Sequence, residues 1–212
     1  MSTQTKSPEA LSTDFKIDTS THSLGINKPQ QVGRKLWLPM FAMALMAFAA
    51  GFIVSLIQAG ELSDNGVSDT TAALNHVKAG VMFIGFASVF SAITFAIARI
   101  LGVFRSGGGE VQELAGRPVH TMKMPPTAKI MMGGMMMAMM LILIPVVLHF
   151  VYAADVSNTA ASLELSEERF IVLEGFRRLG VAVYLASIAF GLATIIRVLR
   201  FQAIRIRELP QI

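Results

Sequence analysis

Two histidines are the side chains of this sequence best suited to chemistry. His149 is the one ionisable residue deep inside a long apolar run, and His76 stands three residues ahead of another such run. An ionisable group within a bilayer is costly and by default points to function. Two imidazoles facing each other across a bundle could ligate a haem. Their expected heights differ, however. At about 1.5 Å per residue, His149 lies about 8 Å inside its border and His76 about 4 Å outside its own. We therefore expect each to serve as a hydrogen-bonding histidine, with haem or quinone binding by His149 and His76 as the alternative.

Seven methionines fall between Met131 and Met140. Thioethers can hold Cu(I). At 100° per residue, however, six of them spread over half the helix circumference and Met137 falls beyond it, so they do not converge on one seam. Flexible packing at a helix interface is the simpler use. With no cysteine in the chain, disulfides, thiolate metal sites and cysteine nucleophiles are excluded. The acids Glu61, Asp64, Asp69, Asp155, Glu164, Glu167, Glu168 and Glu174 all fall between apolar runs, where solvated loop charges are expected. The runs themselves hold no Asp or Glu, which argues against a proton- or sodium-coupled transporter. Walker, nucleophile-elbow and zincin motifs are missing, so no catalytic residue is assigned and no enzymatic activity of its own is expected.

The elements that would position these residues are membrane-spanning helices. The chain has 212 residues, 53% hydrophobic and 15% charged, and its mean hydropathy is +0.59. Soluble domains carry about 25% charged residues. Four runs lack charge altogether: 36–60, 79–98, 130–154 and 179–196, the last extended past Arg197 to 201. About 20 residues cross a hydrocarbon core of about 30 Å. We expect an all-α integral membrane protein with four transmembrane helices. The first run continues through Phe52 and Ile57 and follows a 33-residue tail, so it reads as a retained span rather than a signal peptide.

Lys and Arg set the orientation. Fourteen lie in the tail before the first span, in the middle segment and after the fourth span, against four in the other two loops. The richer side is the cytoplasmic one, so both termini are expected inside a plasma (inner) membrane. Trp37 beside Arg34 and Lys35 suits the interface. Because the basic residues flank apolar runs, anionic lipid headgroups rather than nucleic acid are the expected contact for a chain of pI near 9.7.

The two halves resemble each other. Lys78-Ala79-Gly80-Val81 matches Arg178-Leu179-Gly180-Val181, with Phe90 on Phe190 and Thr94 on Thr194; Lys35, Met43 and Ala44 match Lys129, Met137 and Ala138. We expect a tandem duplication of a two-helix hairpin. In this alignment His149 falls on Ser55. Small residues recur at matched positions: Ala87 and Ser91 in span two, Ser187 and Gly191 in span four. Small residues four apart let helices approach closely, so these four are the expected helix-packing contacts.

The expected organisation is a disordered cytoplasmic tail over 1–33, a first hairpin over 34–104 and a cytoplasmic linker over 105–127, with a Gly107-Gly108-Gly109 run. A second hairpin over 128–204 and a tail over 205–212 follow. Spans two and four should extend beyond the membrane from about 69 and about 166, capped by Ser68 or Asp69 and by Ser166. Residues 197–207 alternate basic and apolar, as in a helix lying on headgroups. The function expected is a non-catalytic subunit or scaffold of a larger membrane complex, partnered by lipid and by other membrane subunits or copies of itself. The alternatives are the haem- or quinone-binding redox subunit and a small transporter of a hydrophobic or cationic solute.

Overall fold

Long charge-free runs become long helices. The computed structural model describes residues 15, 17–18, 28–116 and 119–207. Among these lie β1 (Ile17–Asp18), α1 (Lys28–Asn65), α2 (Asp69–Leu114), β2 (Thr121–Met122), α3 (Pro126–Asp155) and α4 (Ala160–Arg207). All four helices are long and apolar enough to cross a membrane. Pro39 and Pro145 sit inside α1 and α3. Each removes one backbone donor, a loss that neighbouring helices make tolerable in membrane-spanning segments.

The helix ends follow local chemistry. After α1, Gly66 takes φ 68° and its N–H donates to the Leu62 carbonyl at 3.1 Å. Ser68 then caps α2: the Thr71 N–H donates to its hydroxyl at 3.3 Å, and the Ser68 N–H donates to Thr71 Oγ1 at 2.9 Å. That reciprocal pair satisfies two of the four free N–H groups of a helix start. At α4 the cap is Thr159, whose hydroxyl accepts the Ser162 N–H at 3.3 Å. The expected start at Ser166 is therefore corrected: the helix begins six residues earlier, and Ser166 is an interior, buried residue.

The expected linker over 105–127 also changes. α2 runs through Gly107-Gly108-Gly109 to Leu114. Glycine costs only about 1 kcal/mol inside a helix, and at Gly108 it leaves room for two side chains of a neighbouring helix. A Cβ there would collide with Gln202 and Arg205 of α4. The terminator is Gly116, with φ 65°. In the expected tail, residues 1–14, 16 and 19–27 lie outside the described residues, as do 208–212 of the final tail. Phe15, however, is buried, β1 pairs antiparallel with β2 (Ile17 with Met122), and α1 already begins at Lys28.

The chain forms two compact units. The first combines residues up to 35 with 95–132 and 188–207. Here Phe15 packs edge-on against Phe201 at 5.4 Å, with Met122 and Ile204 alongside. Arg205 donates to Gln112 Oε1 from Nε at 2.9 Å and from Nη2 at 2.6 Å, and Gln202 donates to the Phe104 carbonyl at 2.6 Å. Phe201 and Arg205 are thus buried in protein, which corrects the expectation that 197–207 rests only on headgroups.

The second unit combines 36–94 with 133–187. Ala44, Phe83, Ala138, Ile142 and Tyr184 fill its centre, each almost fully buried. Phe48 meets Phe86 at 5.4 Å and Phe90 stacks on Tyr184 at 4.2 Å. The register of α3 against α4 is marked by successive contacts. Asp155 pairs with Arg169 at 2.8 Å, and the His149 ring meets Phe170 at 5.7 Å. Gly180 lies against Ile142 and Leu141, and Gly134 against Ser187.

Candidate functional site

Three helices of the second unit bring the two histidines together. α2 presents His76, α3 presents His149, and α4 presents Ser166 and Phe170. His76 Nδ1 and His149 Nδ1 are 2.9 Å apart, and His76 Nε2 is 3.1 Å from Ser166 Oγ. Both rings are fully buried. The expected difference in height is therefore overturned. Lys78 had marked a border on α2, but the helix continues unbroken, and Lys78 Nζ turns to Gln58 Oε1 at 2.7 Å. Gln58 stands two residues before the end of the first charge-free run, so the ammonium is received beside α1.

The surroundings are aromatic. Phe83 lies 5.0 Å from the His149 ring; Phe170 and Tyr152 lie 5.8 and 6.0 Å from the His76 ring. At the loop end, Arg169 stacks over Tyr152 at 4.4 Å while pairing with Asp155. Deeper in, the Arg177 guanidinium lies 5.7 and 5.6 Å from the rings of Phe83 and Phe86 and pairs with Glu174. No protein-family model, curated protein or solved structure matches this chain.

The tautomers are constrained. A hydrogen bond between two Nδ1 atoms needs one proton between them. If His76 donates, its Nε2 accepts from the Ser166 hydroxyl and His149 carries its proton on Nε2. If His149 donates, His76 donates from Nε2 to Ser166 and His149 Nε2 is bare. In both cases His149 Nε2 is buried without a partner. A doubly protonated pair would set two N–H donors nose to nose, so this geometry holds one shared proton. It does not fit a haem between the rings: two iron–imidazole bonds of about 2 Å need roughly 4 Å between the nitrogens, against the 2.9 Å observed. Among the described residues, no group of three His, Asp or Glu converges as a metal site.

The four helix-packing residues are placed as follows. Ala87 and Ser187 are buried, Ser91 is half-buried, and Gly191 is buried. Ser187 faces Gly134 of α3, while Gly191, in the first unit, meets Met131 of α3 and Ile97 of α2. Of the methionines, Met135 Sδ lies 2.9 Å from Thr94 Oγ1, while Met136 and Met140 are exposed. Sequence reasoning missed Ser166, Phe170 and Arg177 as members of the site. Their signal was present: Ser166, Phe170, Leu173 and Arg177 follow the i, i+4, i+7, i+11 spacing of one helix face.

Proposed function

We propose that the chain is a four-span protein of the plasma (inner) membrane, with both termini cytoplasmic, acting as a non-catalytic subunit or scaffold of a larger membrane complex. The observation that carries this reading is the distribution of apolar surface. Met46, Phe52, Met136, Met140, Ile144, Val147, Ile171 and Leu185 are each more than half exposed. The centre of the second unit is filled by packed side chains and by the His76–His149–Ser166 clamp. Apolar surface on this scale needs lipid or partner helices, and a filled centre suits a framework.

Two matched details support the tandem repeat. Thr94 and Thr194 both donate to the carbonyl four residues back, Phe90 at 2.8 Å and Phe190 at 2.9 Å. Ala44 and its counterpart Ala138 are both fully buried.

Purification in mild detergent followed by native mass spectrometry tests the function. A stoichiometric membrane partner is the expected outcome, and a chain that always migrates as a lone monomer sinks the reading. The redox alternative rests on the unpartnered His149 Nε2. An absorption spectrum of the same sample decides it, since a Soret band would replace the scaffold with a haem subunit.

A further inference from the structure

The pairing of α3 with α4 puts charge at a depth where hydropathy finds none. The charge-free run of span three covers 130–154, and Ile142 is its midpoint. Gly180 packs directly on that midpoint: a Cβ there would meet Ile142 Cγ1 at 2.8 Å and Leu141 Cβ at 3.2 Å. Arg178 is two residues from Gly180, about 3 Å along the axis. If the charge-free run of span three sets the centre of the bilayer, Arg177 and Arg178 lie close to its middle plane, whereas the run of span four, 179–201, taken alone would put them at its outer border.

Arg177 is provided for except at Nε, which is buried without a partner. It pairs with Glu174 and stacks on Phe83 and Phe86. Arg178 is held more loosely: its Nε is 3.8 Å from the same carboxylate, and its side chain is 78% exposed. Two guanidinium groups therefore share one carboxylate. Spans one, two and three bring no acid to this depth. Half of the hydrocarbon core is about 15 Å, well beyond what one arginine stem can snorkel across from near mid-plane.

The surface around Arg178 is shaped for a helix. At 100° per residue, Ile171, Gly175, Ala182 and Leu185 share its face, and all are exposed. A Cβ on Gly175 would meet nothing within 4 Å. Small residues beside a charge let a second backbone come close enough for side chains to pair.

We propose that this face of α4 docks a membrane-spanning helix of another protein that carries an Asp or Glu near mid-bilayer, whose carboxylate pairs with Arg178. A second copy of this chain is the poorer occupant, because Glu174 is already engaged by Arg177. The proposal rests on the subunit reading and names the kind of partner that reading needs.

The test uses the full chain in lipid nanodiscs, labelled at Asn158→Cys on the cysteine-free background. The probes are synthetic Leu/Ala-rich transmembrane peptides bearing one central Glu, Gln or Lys, with association read by energy transfer. The wild type should bind the Glu peptide about tenfold more tightly than the Gln peptide. Arg178→Gln should abolish that preference, Arg178→Lys should largely keep it, and Arg178→Glu should shift it to the Lys peptide. Equal binding of Glu and Gln peptides by the wild type, or a preference that survives Arg178→Gln, overturns the proposal. So does self-association that depends on Arg178.

The depth premise has its own readout: Arg178→Cys should resist a membrane-impermeant maleimide, and rapid labelling refutes it. A lone monomer in the native purification with an Arg178-dependent peptide preference would sink the complex reading while leaving this surface intact. A stoichiometric partner with no such preference would do the reverse.

Discussion

At the scale of single residues, the second unit turns on one shared proton. His76 and His149 satisfy each other through Nδ1, and Ser166 satisfies the far side of His76. Asparagine places its amide near the position of an imidazole Nδ1, and glutamine near that of Nε2. His149→Asn should therefore keep a partner for His76 and remove the unmatched Nε2, changing stability by less than about 1 kcal/mol. His149→Gln should lose the contact and strand the His76 ring, costing about 2 kcal/mol through an unsatisfied buried group. Thermal unfolding in detergent compares the two, and equal midpoints would show that the Nδ1 contact does not hold the helices. Arg177 poses the same problem with charge: its Nε is buried without a partner while its other end meets Glu174. Glu174→Gln should destabilise the chain by about 1 to 3 kcal/mol, since it leaves the Arg177 charge without its carboxylate, at the low end if water reaches the partly exposed pair and at the high end if lipid surrounds it.

At the scale of elements, glycine and threonine decide where helices end and how closely they pass. Gly107 faces open space, whereas Gly108 lies under Gln202 and Arg205. Gly107→Ala should stabilise α2 by a few tenths to about 1 kcal/mol through helix propensity alone. Gly108→Ala should destabilise instead, because the added methyl displaces both side chains and with them the Arg205–Gln112 contact. Limited proteolysis within the far ends of α2 and α4 reads this difference, and a Gly108→Ala chain cut no faster than the wild type would count against the close approach. At the α2 start, Ser68→Ala removes one half of a reciprocal cap and should cost about 1 kcal/mol, seen as faster amide exchange at Thr70 and Thr71.

At the scale of the whole molecule, four helices are long and apolar enough to cross a membrane, where lipid would replace water as the solvent of most apolar surface. That is why the helices can leave large side chains such as Phe52 and Met140 pointing away from the protein. The chain has no cysteine, so single introduced cysteines report topology without interference. With both termini inside, Asn158→Cys in the α3–α4 connection should react with an impermeant maleimide added to intact cells. Glu113→Cys near the end of α2 should react only after permeabilisation. Labelling of both from the same side would reverse or dismantle the proposed orientation.

The sequence by itself determined that there would be four long helices and roughly where each lies. The reason is local: a charge-free run of about 20 residues satisfies its own backbone only as a helix. The lateral register between helices was not legible. Hydropathy stops a span at its first charges, so Arg177, Arg178 and Lys78 marked borders on α4 and α2. The tertiary structure sets those residues against Glu174, Phe83 and Gln58. The meeting of His76 and His149 depends on that same register. No residue-by-residue property predicts it, because it depends on how α2 fits against α3, where Gly80 lies under the Phe150 ring. Composition decides what must be hidden from water; only packing decides which polar groups are hidden together.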